Sequence, residues 1–367
     1  MKHTIEFVGL KKQHSSLRDK LLRACNRTFN KSMFILGKSV EEFENKFKEY
    51  TKSKYCVTVN SGTDALFLSM KSLNIGKGDE VITVPNSFLA TASSIVATGA
   101  KPVFVDVSED MNINPKLIEE KITKKTKAIL PVHLTGRPCK IDRISKIAKD
   151  NNLYLIEDCA QSIGTRYKNI HVGTFGDTGC FSFHPLKTLN ACGDGGCIIT
   201  DNKETYDKLL QLRNIGLKDR EHADIWGYNS RLDSLQAEIL YIKFDYINYW
   251  IEKRRNNART YTENLPENIN TPKENKNEYC TYHTYIIKTK NRNDLKEYLY
   301  KNRIRTAIHY PIPIHLQKCA KSLGYKKGDF PETEKQSKTI LSLPIYPELT
   351  SKELFNIIKE IRKWKSV

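Results

Sequence analysis

Leu153-Tyr154-Leu155-Ile156-Glu157-Asp158-Cys159-Ala160-Gln161, then Phe181-Ser182-Phe183-His184-Pro185-Leu186-Lys187, then Gly193-Asp194-Gly195-Gly196: these three runs decide how the chain is read. The first is a short apolar run that ends on an acid, as a buried strand does where it meets a loop. The second and third are apolar and glycine-rich, with a lysine set in the excursion between two predicted strands, Cys180–Phe183 and Cys197–Thr200. Taken singly, Asp158 reads as a strand-end cap and Lys187 as one lysine among many. Taken together they form a pair with chemical meaning, an acid and an amine displayed by neighbouring strands.

Outward from this stretch the chain alternates. Strands are predicted at Tyr55–Val59, Val81–Val84, Pro102–Val105, Ala128–Val132 and 153–156. Helices are predicted at Ala65–Leu73, from Phe88 to Thr98, at Lys116–Ile122 and at Ile141–Asp150. This rhythm predicts an α/β fold whose mostly parallel sheet, of the seven-stranded type, is covered by helices. In such sheets ligands sit beyond the carboxyl ends of the strands. Asn60–Asp64, Phe88, His133 and Asp158 fall at those ends. Before the first strand, residues 1–53 read as an arm followed by one helix with Val40, Phe43, Phe47 and Tyr50 on its core face. After Lys187, a helix is predicted at Lys203–Arg213, a loop at 214–233 and one long helix at 234–264. The polar segment 265–280 then marks a crossing. The expected division is a large domain over 1–264, arm included, and a smaller α+β domain over 265–367. The latter has a strand near Tyr285–Lys288 and helices at Asp294–Asn302 and Ser351–Trp364.

Composition narrows the function. The 367 residues carry Lys+Arg 60 against Asp+Glu 42, a formal charge of +18. Such a balance brings a nucleic-acid binder into view. The lysines are spread along the chain rather than gathered in an arm, and no helix-turn-helix, zinc or RNA-binding motif accompanies them, so no nucleic-acid partner is expected. A basic surface also steers anionic substrates. Nine cysteines without CxxC spacing predict reduced thiols in a cytoplasmic protein and no metal site. No apolar run approaches the roughly 18–20 residues of a membrane span.

Several residues carry candidate chemistry. Ser61-Gly62-Thr63-Asp64 lies between a strand and a helix. There free N–H groups and the helix dipole favour an anion such as phosphate, and an ordinary helix cap is the rival reading. Phe88 is placed to stack on a flat ring or to join the core. A lysine that forms a Schiff base and an acid that keeps a ring nitrogen protonated are the requirements of pyridoxal phosphate (PLP). Lys187 and Asp158 fit those roles, with Gln161 beside the acid and Ser182 a donor toward phosphate. Lys187 freed of the cofactor is also the natural base for a 1,3-proton shift, provided burial lowers its pKa.

With these runs on the page, the chain resembles the DegT/StrS family of PLP-dependent sugar aminotransferases. The residues that carry the resemblance are Ser61–Leu66, Gly78–Ile82, Pro131–Gly136, Glu157–Ser162, Phe181–Lys187 with Gly193–Gly196, Tyr228-Asn229-Ser230-Arg231-Leu232-Asp233 and His309-Tyr310-Pro311-Ile312-Pro313. The resemblance implies the aspartate-aminotransferase-like fold type I and a homodimer in which Asn229 reaches the cofactor phosphate of the partner subunit. It also implies amino transfer from L-glutamate to a keto sugar for surface polysaccharide or lipopolysaccharide synthesis. Arg231, His309, Tyr310 and His315 are the candidates for substrate binding. Lysine, rather than histidine, at 187 favours transamination over the dehydratase chemistry of some members. The run Gly193-Asp194-Gly195-Gly196 resembles members acting at a nucleotide-linked 3-keto sugar. A 4-keto sugar or an eight-carbon acid sugar, which the run 184–190 resembles, is the alternative.

Overall fold

The computed structural model describes residues 4–364; residues 1–3 of the expected arm and 365–367 of the expected smaller domain lie outside it. In chain order the elements are α1 (Leu10–Lys31), α2 (Lys38–Thr51), β1 (Tyr55–Val59), α3 (Gly62–Ser72), β2 (Glu80–Thr83), α4 (Leu89–Ala97), β3 (Lys101–Phe104), β4 (Thr126–Ile129), α5 (Ile141–Asp150) and β5 (Tyr154–Asp158). The short strands β6 (Arg166–Tyr167) and β7 (Ile170–His171) follow, then β8 (Thr178–Ser182), β9 (Gly196–Thr200), α6 (Lys203–Leu212), α7 (Ser234–Phe244) and α8 (Ile247–Asn264). The chain continues through β10 (Glu278–Tyr279), β11 (Tyr285–Lys288), α9 (Arg292–Lys301), α10 (Pro331–Thr339), β12 (Ile340–Leu343) and α11 (Ser351–Lys363).

The main sheet has seven strands in the order β1-β9-β8-β5-β4-β2-β3. Strands β8, β5, β4, β2 and β3 pair in parallel, and β9 runs antiparallel between β8 and β1. The expected mostly parallel α/β sheet is therefore present, with one antiparallel strand making it mixed. Because β1, β2, β4, β5 and β8 point the same way, Ser61, Ser87, Val132, Asp158 and Ser182 all gather at one edge. Two apolar clusters cover the sheet. One is aliphatic, built on residues such as Leu68, Ile82, Ile95, Ile129 and Ile156. The other is aromatic: Phe43 and Phe47 of α2 meet Phe183 edge-on, with centroids 5.3 and 5.6 Å away, and Phe244 packs beside them. A third cluster joins Ile5, Ala258 and Tyr261 to residues of β11, α9, β12 and α11.

Three expectations about elements are corrected. Leu10–Lys31 was expected as an arm and is a 22-residue helix. Its buried positions are Gln13, Leu17, Ala24 and Thr28, a narrow stripe half of which is polar, so its hydrophobic period is faint. The single helix expected over 234–264 is two helices. At the break Asp245 N–H and Tyr246 N–H donate to carbonyls three residues back, on Ile242 and Lys243, so the last turn tightens and redirects the chain. Lys116–Ile122 forms two 3₁₀ turns, Pro115–Leu117 and Glu119–Lys121, not an α-helix. Among the described residues no helix is long and apolar enough to cross a membrane.

One buried ion pair ties the helical layer to the sheet. Glu44 of α2 receives Arg213 Nη1 at 2.5 Å and both the N–H and the hydroxyl of Thr58 in β1 at 2.8 Å. Arg213 follows α6 and starts the loop that carries Asn229. Removing Glu44 strands a buried guanidinium, and breaking such a pair costs about 3 kcal/mol or more. Glu44→Ala is expected to lower the stability by that amount in a denaturant titration; an unchanged midpoint would show that the pair is solvated.

Candidate functional site

The strand ends enclose a cavity of about 280 Å³, lined among others by Gly62, Thr63, Phe88, Asp158, Gln161, Ser182, Lys187, His309 and Tyr310. Each wall follows from local structure. Ser61 caps α3 by accepting the N–H of Asp64 at 3.1 Å. Glycine is required at 62 because a Cβ there would stand 2.5 Å from Ser182 Cβ. It is required at 196 because a Cβ would stand 2.4 Å from the Ser61 carbonyl. The β9 strand and the Ser61–Gly62 turn thus approach at backbone distance, and the first turn of α3 meets the end of β8.

Asp158 closes the floor. It is buried, and its carboxylate accepts Thr91 Oγ1 at 2.8 Å and the Ala160 N–H at 3.1 Å. Ser87 Oγ lies 2.8 Å from Thr91 Oγ1, which extends the chain of hydroxyls. Burial raises the Asp158 pKa, and these two hydrogen bonds and the charge of Lys187 only partly oppose it. Among the described residues Asp158 has no ion-pair partner. Lys187 is the cavity's amine. Burial pulls its pKa down to about 8, with Asp158 pulling the other way.

The loop of Lys187 is held from behind. Asn190 Nδ2 donates to the Lys187 carbonyl and to Gln13 Oε1 of α1, both at 3.1 Å. Lys243, fully buried, donates to Asn190 O at 2.9 Å and to Asn190 Oδ1 at 2.6 Å, and it meets His14 Nε2 at 3.0 Å. On the opposite wall Gln161 Oε1 accepts the Thr135 N–H at 2.8 Å, and its Nε2 donates to Tyr310 Oη at 3.1 Å. His309 shares a 2.8 Å hydrogen bond with Ser342 and is stacked on Phe7. Burial and the nearby Lys187 charge lower its pKa to about 4, so the ring is neutral at pH 7.

Some expected residues lie elsewhere. Asp64 stays in the first turn of α3 and does not line the cavity. Asn229 is exposed on the 213–231 loop, and Arg231 donates from Nη1 to Asn214 Oδ1 at 3.0 Å, both outside the cavity of this chain. His315 is corrected: its ring is buried against Phe330 and bonded to Glu334 Oε1 at 3.1 Å, which leaves it no access to a substrate. Among the polar lining residues, Thr91 and His283 are not singled out by the sequence. The Ser87–Thr91 spacing of four across the start of α4 was the available signal for the first. His283 lies in no motif. Its Nδ1 is buried without a partner, and burial, with the charges of Lys187 and Arg254, drives its pKa well below the usual range.

A glycine cradle at a helix start, a buried acid and a desolvated amine of lowered pKa, gathered at the strand ends of this sheet, define a fold type I aminotransferase. The comparison with known proteins gives the family: residues 15–362 match the DegT/DnrJ/EryC1/StrS aminotransferase family, and the chain belongs to it. It is 40% identical to a pleiotropic regulatory protein of Geobacillus stearothermophilus, over 98% of both chains. It is 39% identical to a dTDP-3-amino-3,6-dideoxy-alpha-D-galactopyranose transaminase of Aneurinibacillus thermoaerophilus, over 98% of this chain and 99% of that one. The crystal structure of S. venezuelae DesV, solved with a ketimine intermediate, superposes with a TM-score of 0.96 at 35% identity over 99% of each chain.

The Lys187 amine of the cofactor-free protein is protonated below about 8 and free above it. Acylation of Lys187, followed by peptide mapping, is expected to speed up through that pH. Asp158→Asn removes the charge that raises the lysine's pKa, so the transition should move to lower pH; a shift upward or none would show that the two groups do not sense each other.

Proposed function

We propose that this aminotransferase moves an amino group from L-glutamate to a nucleotide-linked 3-keto sugar, with PLP held in the cavity around Lys187. The observation that carries the reading is the pairing of Asp158 and Lys187 across one cavity. A buried carboxylate without a cationic partner suits a protonated ring nitrogen, and a desolvated amine of pKa about 8 suits imine formation. The space kept clear at Gly62 beside Ser182 suits a phosphate. When bound, PLP supplies an electron-withdrawing ring that stabilises negative charge on the carbon bearing the amine.

This chain's residues supply the rest. Asp158, steadied by Thr91 and Ala160, would face the ring nitrogen, with Phe88 on a ring face and Gln161 beside it. Ser182, Gly62, Thr63 and the first turn of α3 would hold the phosphate. In a homodimer, Asn229 of the partner would add a further donor there, and its exposure in the single chain is consistent with that use. Lys187, free above about pH 8 and partly free at pH 7, is the base that moves the proton between carbon atoms. His309 and Tyr310, neutral and fixed by Ser342 and Gln161, would orient the sugar; Arg231 is the candidate for an anionic group at the subunit boundary. The 3-keto position is supported by Gly193-Asp194-Gly195-Gly196 and by the name of the Aneurinibacillus relative.

Amino transfer from L-glutamate to a dTDP-linked 3-keto-6-deoxyhexose tests the reading. Double-reciprocal plots with both substrates varied are expected to be parallel, the mark of a two-stage exchange. Lys187→Ala should abolish turnover, with pyridoxamine phosphate still bound. Normal turnover in that variant would overturn the assignment of Lys187, and amination of only 4-keto sugars would overturn the substrate class.

A further inference from the structure

A second cavity, of about 340 Å³, lies behind the first. The two share a wall but no lining residue. The segment 282–284 alternates between them: Tyr282 and Thr284 line the second cavity, and His283 lines the first. Thr135 completes the partition. Its own residue lines the second cavity, and its N–H holds Gln161 in the first.

The chemistry of the second cavity is unlike that of the first. Arg137, Lys140, Lys273 and Lys288 reach it from three separate segments, against the two carboxylates Glu109 and Asp110. Arg137 is paired through Nη2 with Glu278 at 2.9 Å, yet its Nε is buried without a partner. Lys288 has a backbone carbonyl, that of Glu109, at 2.5 Å, and burial lowers its pKa. Lys140 and Lys273 make no ion pair among the described residues. Thr284, 4% exposed, has a buried hydroxyl with no partner. A buried donor left unpaired costs about 1–3 kcal/mol, and both of these donors belong to side chains that line this cavity. Lysine and arginine donors with a hydroxyl suit phosphate oxygens. The carboxylates and the amides of Asn270 and Asn275 suit hydroxyl and ring N–H groups. The volume is that of a small-molecule site.

We propose that this cavity is a second binding site, distinct from the pocket around Lys187, for a phosphate ester of nucleoside size. The inference rests on the cavity alone and stands or falls apart from the identity of the sugar. Calorimetric titration of adenosine 5′-phosphate into the PLP-loaded enzyme tests it, the loaded state keeping the probe off the cofactor's phosphate cradle. Saturable binding with a Kd below about 1 mM is expected. Lys140→Glu combined with Lys273→Glu should weaken it about tenfold or more, and Thr284→Val should weaken it while the cofactor's absorption stays unchanged. His309→Asn, in the first cavity, should leave it intact. No saturable binding would overturn the proposal. So would binding that ignores the two charge reversals, or binding lost in His309→Asn, which would place the probe beside Lys187.

Discussion

Desolvation of two opposite charges at one edge of a sheet is the constraint on which the candidate site depends. Asp158 is buried and Lys187 is half-buried at the cavity wall, and each is pushed toward its neutral form by desolvation. Burial alone would leave both groups inert. Their shared cavity keeps them responsive, because each opposes the other's shift and neither is locked into an ion pair. The parallel strands make this possible. They bring an acid at the end of β5 and the lysine-bearing loop after β8 to the same edge, and the close approach of β9 to the Ser61–Gly62 turn closes the gap.

That poise needs rigid support, and the support comes from distant parts of the chain. The loop of Lys187 is fastened through Asn190 to Gln13 of α1 and to the buried Lys243 of α7. Among the described residues Lys243 makes no ion pair; carbonyl and amide oxygens of Asn190 and the His14 ring satisfy its ammonium donors. A buried ammonium bonded in this way resists rearrangement, since any movement leaves it unpaired. On the other wall, Thr135, Gln161 and Tyr310 form a similar brace. It is also the partition behind which the second cavity lies, so the two cavities are separated by polar groups already engaged in hydrogen bonds.

Much of the fold was legible because the sheet is regular. Strand–helix alternation predicted five parallel strands close to where they lie, and the Phe43–Phe47–Tyr50 spacing located α2 and its core face. The 22-residue α1 was not legible, because its contact stripe includes Gln13 and Thr28, which carry no hydrophobic signal. The break after Phe244 left no glycine or proline to mark it. At the site, Asp158, Lys187, Gly62 and Gln161 could be named because each sits at a strand or helix end within a recognisable run. Thr91 and His283 could not be named as readily, since their placement depends on contacts made across the fold. His315 was misread for the complementary reason: a histidine just after the His309–Pro313 run looks available until Phe330 and Glu334 are seen to enclose it.

By itself, then, the sequence determined the alternating elements, the acid and the amine, and the set of motifs that places the chain in its family. Those are local properties, written in spacing and residue type. The tertiary structure decided which groups are neutral, which are braced and which are left unpaired. Burial and cross-chain hydrogen bonds set these, and they join residues as far apart as Gln13, Asn190 and Lys243. The same holds for the wall between the two cavities: that Tyr282 and Thr284 line one and His283 the other follows from how the segment is laid against Thr135, which no spacing along the chain records.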